Sequence, residues 1–358
     1  MTITVDPKQA TAMPDAAYAS GIAAFLTDAW GQKVAVVGFG RMTGGNARTT
    51  WRFDSVSADR SVPMVLRVAE GPALDLTDFR REFDALTVAF EAGLPVPEPL
   101  WHIEDRRWLG APFVVIAEVT GCLNSNHARD LAPRVGRRLL ADGMYTLGRL
   151  AAIDLDVLHV PEGITSSSPE TCASEQLAEW TDLYLANEIH PNPIGRVAQH
   201  WLRANPPAPA RKLTLVHGDY RLGNLLYGAD GELRAVLDWE MAHVGDPLED
   251  LAWTLDVRQD ADHPVLAWGA ADAAEAVDMW QAASGLDIDT ASLRWWQVFV
   301  AFKALTIWTV SGHHFATRSQ KRLIDGRMGW VLVERQQRIL VDLLSPHSQH
   351  HYYWHGDH

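Results

Sequence analysis

Cysteine is almost missing: Cys122 and Cys172 are the only two in 358 residues. Two cysteines cannot build a disulfide framework in a chain of this length, so the composition points to a reducing compartment, the cytoplasm. Basic charge is also short. The 31 Lys and Arg face 45 Asp and Glu, for a formal net charge of −14. A nucleic-acid binder needs a basic face, and this balance excludes nucleic acid as an expected partner. An acidic surface suits solubility and would attract cationic substrates. Lysine itself is reduced to Lys8, Lys33, Lys212, Lys303 and Lys321. Long apolar runs are absent too. The longest near the C-terminal end, Val298 to Val310, is interrupted by Lys303. No segment reaches the ~18 apolar residues of a membrane span, so no membrane partner is expected. Met1 to Pro14 is polar and reads without a signal peptide.

What is present is a chain 47% hydrophobic with 15 tryptophans, long enough for two lobes, and without internal repeats. Residues 1–20 read as a leader, with a first helix near Tyr18 to Trp30. Val34 to Phe39, Thr49 to Phe53 and Val62 to Val68 read as strands, and Gly44-Gly45-Asn46 as the turn between two of them. A helix follows, with Thr77 as N-cap, Asp78 in its first turn, and Phe79, Phe83, Leu86 and Phe90 at helical spacing. It ends at Gly93. Pro97 and Pro99 break up an extended segment, and Phe113 to Val119 reads as a buried strand. Past Gly121 helices dominate, over 130–152, 172–189, 193–204 and most residues beyond 246, around a strand-loop-strand block from Leu213 to Glu240. This divides the chain into a small lobe over 21–120 and a larger one over 121–346. A tail over 347–358 carries five histidines.

That block carries the chemistry. Leu215-Val216 leads into His217-Gly218-Asp219, Asn224 comes five residues after Asp219, and Val236-Leu237 ends in Asp238, fourteen residues after Asn224. Phosphoryl transfer needs one carboxylate facing the attacking hydroxyl. It also needs an amide oxygen and a second carboxylate to hold Mg²⁺ on nucleotide phosphates, because hard cations take oxygen ligands. The protein-kinase catalytic loop, H-R-D-x-x-x-x-N with a downstream metal-binding Asp, has this spacing. Downstream, Asp246 before Pro247 looks like a helix N-cap, and Asp250 could accept hydrogen bonds from the loop.

His217-Gly218-Asp219 with Asn224 resembles the H-G-D-x-x-x-x-N signature of the aminoglycoside-phosphotransferase-like kinases. This superfamily also contains choline, homoserine and fructosamine kinases and the kinase-like domains attached to some acyl-CoA dehydrogenases. Gly245-Asp246-Pro247-Leu248-Glu249-Asp250-Leu251-Ala252 is similar to its G-D-P-x-x-D-L-A. The resemblance covers roughly 34–345. It implies an α+β, protein-kinase-like two-lobed fold: a small antiparallel-sheet lobe and a larger, mainly helical one, with ATP and Mg²⁺ as cofactors and a small-molecule hydroxyl as acceptor. Asp219 would be the catalytic carboxylate, supported by His217 and Asp250, and Asn224 and Asp238 the metal ligands. Gly44, Gly45 and Asn46 would cover the phosphates. Arg67, where relatives carry Lys, would contact phosphate with Glu82 as its partner, a departure that the acyl-CoA-dehydrogenase-linked branch shares. Backbone groups around Glu118 and Val119 would meet the adenine, and Ile116 and Leu226 its ring.

Two other readings compete. The same fold could serve as a catalytically silent nucleotide-binding module. Alternatively, Gly38-Phe39-Gly40 could open a dinucleotide fingerprint, although Thr43 stands at its third glycine and Thr49 to Phe53 is strand-like. The acceptor is not legible; Trp253, Trp295, Trp296 and Trp308 are candidates for an apolar pocket or for plain core.

Overall fold

The computed structural model describes residues 14–42, 49–69, 79–125, 130–158, 160–161, 164, 167–255, 266–268, 270–317 and 323–345. Gly44, Gly45, Asn46, Thr77, Asp78 and the histidine tail lie outside them. The chain forms two compact units, Met1–Cys122 with Arg234–Met241, and Leu123–Leu233 with Ala242–His358.

The first unit is built on an antiparallel sheet of β1 (Ala35–Arg41), β2 (Thr49–Val56), β3 (Ser61–Val68), β4 (Pro99–Ile103) and β5 (Phe113–Ala117), in the order β1-β2-β3-β5-β4. Strand β4 is not expected from the prolines. Pro99 is tolerated because it opens an edge strand, where a missing N–H costs no ladder bond. The period of two sends Trp51, Phe53, Met64, Leu66, Val68, Phe113 and Val115 to one face. There they form a core with Tyr18, Ile22, Phe25 and Leu26 of α1 (Asp15–Trp30). Val65, Arg67, Val114 and Ile116 take the other face. Helix α1 starts inside the expected leader because Asp15 is tied down, its Oδ1 accepting the Trp51 indole N–H at 3.0 Å. The antiparallel pairing of β1 with β2 excludes the dinucleotide reading, whose βαβ unit needs parallel strands.

Helix α2 (Phe79–Glu91) packs on β4 and β5. Its buried stripe differs from the expected one: Phe90 is exposed and Phe83 is half-buried against the His102 ring, while Glu82, Asp84 and Ala85 are buried. The helix is turned to bury carboxylates, Asp84 being satisfied by Arg80 at 2.8 Å and Glu82 by Arg67.

The second unit is mainly helical: α3 (Pro133–Ala152), α4 (Cys172–Asn187), α5 (Pro193–Ala204), α6 (Leu248–Thr254), α7 (Ala273–Ser284), α8 (Thr290–Ala316), α9 (Leu323–Arg327) and α10 (Val333–Leu344). Among these run β6 (Thr214–Val216) and β7 (Leu225–Tyr227). Strand β8 (Leu233–Val236) leads the chain back to the first unit, and β9 (His243–Gly245) pairs antiparallel with β6. Helix α8 is the unit's axis. It packs against α4, α5, α6 and α10, and is buried on all sides from Trp295 to Thr306, as expected of a helix apolar all round. Its N-cap Asp289 accepts from Ser292 N–H at 2.8 Å. Among the described residues no helix is long and apolar enough to cross a membrane.

Helices α3 and α7 touch backbone to backbone at Gly148, where an added Cβ would lie 2.5 Å from Ala283 Cβ and 2.8 Å from the Trp280 carbonyl oxygen. Gly148→Val is therefore expected to cost about 1–3 kcal/mol through overpacking, read as a lower urea midpoint at unchanged slope. A midpoint equal to that of the parent would contradict this packing.

Candidate active site

Strand β6 delivers His217-Gly218-Asp219 as a buried turn. Asp250, on α6, accepts the His217 N–H on Oδ2 at 2.6 Å and the Gly218 N–H on Oδ1 at 2.8 Å. Gly218 sits at φ +82°, a conformation that side chains rarely adopt, so glycine at this position follows from the turn. His217 is fully buried, and its Nδ1 accepts the Asp219 N–H at 3.1 Å. That nitrogen is unprotonated and engaged inside the loop, which makes His217 a brace. Tyr220 anchors the next turn, its hydroxyl donating to the Gly143 carbonyl at 2.8 Å.

The Asp219 carboxylate is held from three sides. Trp253 Nε1 donates to Oδ1 at 2.9 Å, Asn224 Nδ2 to Oδ2 at 2.8 Å, and Arg221 Nε lies 3.2 and 3.0 Å from the two oxygens. Asn224 Nδ2 also donates to the Asp219 carbonyl at 2.9 Å. Both partners can only accept, so the amide orientation is chemically fixed and Oδ1 is the atom left over. Asn124 closes the loop from outside, its Nδ2 donating to the carbonyls of Gly223 at 2.8 Å and Leu225 at 2.9 Å. Leu226, on β7, is half-buried.

Behind the loop lies a buried electrostatic layer. Burial pushes Asp250 up to about 6, against the two amide hydrogen bonds that favour its ionised form. Burial also raises Asp246 to about 6, although Leu248 N–H (2.9 Å) and Trp296 Nε1 (3.1 Å) donate to it. Helix α6 starts at Leu248 with Pro247 as its N-cap, so Asp246 stands one residue ahead of the expected cap position, although its side chain does accept the Leu248 N–H. Burial opposes ionisation of Glu249 as well, but Lys303 and His243 hold it down at about 2. Lys303 Nζ reaches Glu249 Oε1 at 2.9 Å and the Gly218 carbonyl at 2.8 Å.

In the first unit, Arg67 Nη1 donates to Glu82 Oε1, and Nη2 lies 3.9 Å from Asp238 Oδ1. Burial works against the guanidinium, and Glu82, Asp238 and Glu240 more than restore it, so its pKa is raised. Asp238 follows β8 at φ +70°, a left-handed conformation that Asp tolerates better than most residues and that often marks functional positions. The strand expected to run to Val119 stops at Ala117. The Glu118 N–H still donates to the Pro63 carbonyl at 3.0 Å, and the Glu118 side chain lies 3.6 Å from Arg52. The Glu118 carbonyl and Val119 N–H have no partner among the described residues. Ile116 is half-buried on the face that carries Arg67.

Asp219 and Asn224 are thus brought together in one unit, and Asp238, Arg67 and Glu82 in the other. Sequence reasoning does not reach Arg221, Asn124, Glu249 or Lys303 as site residues. Lys303 does leave a signal, a lone cation inside an apolar run. Trp253, expected as a pocket wall or core, is buried and in addition donates a hydrogen bond to Asp219.

The raised Asp250 gives a testable sign. Its native carboxyl keeps the proton up to about pH 6, whereas an ordinary Asp releases it near 3.8, so the native state binds more protons in that window. The stability contributed by this group falls as pH rises through it. Asp250→Asn removes the titration. The unfolding free energy of the parent relative to the variant is expected to drop by on the order of 2 kcal/mol from pH 4 to pH 6. A difference flat with pH would contradict the assignment.

Residues 41–296 match the model of the phosphotransferase enzyme family. Acyl-CoA dehydrogenase family member 11 of Gallus gallus is 34% identical over 178 residues, which cover 48% of this chain and 22% of that protein. The Homo sapiens counterpart is 30% identical over 174 residues, 48% of this chain and again 22% of the relative. The chain therefore spans about a fifth of the length of these relatives. Among solved structures, a putative aminoglycoside phosphotransferase from Ralstonia eutropha superposes with a TM-score of 0.74 at 19% identity, over 90% of this chain and 97% of the other. A thermostable aminoglycoside phosphotransferase mutant in complex with ADP and hygromycin B gives 0.60 at 17% identity, over 91% and 99%. The fold is that of these kinase-like proteins, and with the family model matched across most of its length the chain belongs to the phosphotransferase enzyme family.

Proposed function

We propose that the chain is an ATP- and Mg²⁺-dependent phosphotransferase that moves the γ-phosphoryl group of ATP to a hydroxyl of a small molecule. The observation that carries this reading is the Asp219–Asn224 pair. One amide group fixes the carboxylate and, by doing so, leaves its own oxygen for a hard cation. Asp219 takes the hydrogen bond of the acceptor hydroxyl. As the acceptor oxygen bonds to the γ-phosphorus and the bond to the ADP oxygen breaks, the hydroxyl proton passes to the carboxylate. Trp253, Asn224 and Arg221 already occupy much of the carboxylate, which makes it an orienting group first and a base second. That suits a loose transition state governed by positioning.

Asn224 Oδ1 and the Asp238 carboxylate would hold Mg²⁺. Two protein oxygens suit a cation that fills its remaining positions with phosphate and water, and among the described residues there is no larger His/Cys/Asp/Glu cluster to compete. When bound, the ion supplies positive charge to the phosphate oxygens. Arg67, kept charged by Glu82, would add a second cation, and Gly44, Gly45 and Asn46 would cover the phosphates. The Glu118 carbonyl and Val119 N–H, without a partner among the described residues, offer the acceptor and donor that an adenine edge requires, and Ile116 and Leu226 would lie against its ring. The ADP in one structural neighbour supports the nucleotide assignment.

ADP release is expected with at least one acceptor from a panel of hydroxyacyl compounds, aminoglycosides and amino alcohols. Tight ATP binding without turnover on any of them would favour the silent module instead. Asp219→Asn is expected to lower turnover by at least ~100-fold at near-parental ATP affinity; undiminished turnover would remove its assigned role. Asp238→Gly relieves a positive φ and is expected to stay within about 1 kcal/mol of the parent in stability. It should still lose Mg²⁺-dependent nucleotide binding in calorimetry, and retention of that binding would exclude Asp238 as a ligand.

A further inference from the structure

Both backbone polar groups of Gly218, its N–H and its C=O, are gripped by buried side chains. Asp250 Oδ1 takes its N–H at 2.8 Å, and Lys303 Nζ donates to its carbonyl at 2.8 Å. Lys303 comes from the middle of α8, is 1% exposed, and stands alone in an otherwise apolar stretch. Its ammonium also bonds Glu249 Oε1 at 2.9 Å and lies 4.9 Å from the ring centroid of Trp253 and 5.1 Å from that of Trp180. Trp253 is the residue whose indole N–H meets Asp219 Oδ1.

Stability alone does not account for a lysine here. Moving an ammonium out of water costs several kcal/mol, and well-packed apolar replacements of buried ion pairs are often neutral or stabilising. What the cation supplies is direction. Two of its contacts end on the groups that set the Asp219 carboxylate: the carbonyl one residue before it, and the indole that donates to it. A third, Glu249, is shared with His243 on β9, the strand paired to the one that launches the loop, and the fourth is the Trp180 ring. Acting on the phosphotransferase reading above, we infer that Lys303 is a positioning residue for Asp219, locking the Gly218 carbonyl and the Trp253 ring so that the carboxylate meets the acceptor hydroxyl in one orientation.

The test uses the full chain with Lys303→Met, with Lys303→Met/Glu249→Gln, which avoids stranding a buried carboxylate, and with Lys303→Arg. In the double variant, kcat for the best acceptor is expected to fall 10- to 100-fold while the KM for ATP changes less than 3-fold. Lys303→Arg, which keeps the charge, should recover part of the loss. Hydrogen exchange is expected to rise selectively in a peptide spanning His217 to Asn224, with the rest of α8 protected as in the parent. An unchanged kcat, or exchange rising uniformly through the second unit, would reduce Lys303 to a core residue and overturn the inference. If the parent turns over no acceptor, the phosphotransferase reading fails by itself, and the exchange pattern alone then decides whether Lys303 positions the loop.

Discussion

A buried carboxylate accepting two successive backbone amides is the constraint from which the loop over 217–224 follows. Asp250 fixes His217 and Gly218. With those amides placed, the His217 ring can take the Asp219 N–H, and the Asp219 carbonyl and carboxylate can both face Asn224. Each bond is ordinary in strength, about 1–3 kcal/mol when charge is involved. Together they leave the Asp219 carboxylate a single orientation, and chemistry governed by positioning depends on that orientation more than on basicity.

Burial sets the electrostatics of this layer, and its charges are divided by task. Burial and the nearby Glu249 charge push Asp250 and Asp246 up to about 6 against the hydrogen bonds they accept, whereas Glu249, equally buried, is held at about 2 because a lysine and a histidine face it. The first unit solves a similar problem with an arginine. Arg67 remains a cation despite burial because Glu82, Asp238 and Glu240 surround it. A guanidinium spreads its charge over a planar fork and can meet Glu82 and Asp238 in different directions, which a single ammonium cannot do in the same way.

Much of this is legible in the sequence because the loop is local. His217, Asp219 and Asn224 lie within eight residues, and the grip of Asp250 follows from a short downstream segment. Three strands of the sheet are readable as short β-branched and aromatic runs, while their antiparallel arrangement enters through the family resemblance. What escapes is decided by distant partners. The stripe of α2 turns away from Phe90 because Arg67, on a strand, buries Glu82. Trp253 reads as one more apolar ring until the position of Asp219 is known. Lys303 is 85 residues from the carbonyl that it holds, and periodicity marks it only as an interruption. Pro99 reads as a strand breaker because its place at a sheet edge is a tertiary fact.

The central claim is that Asn224 serves two partners at once, its nitrogen on Asp219 and its oxygen on a metal ion. A crystal structure with ADP and Mg²⁺ tests it most directly. The account predicts Asn224 Oδ1 at about 2.1 Å from the ion, with Nδ2 still donating to Asp219. An ion coordinated elsewhere, or an amide turned so that its nitrogen faces the metal, would contradict it.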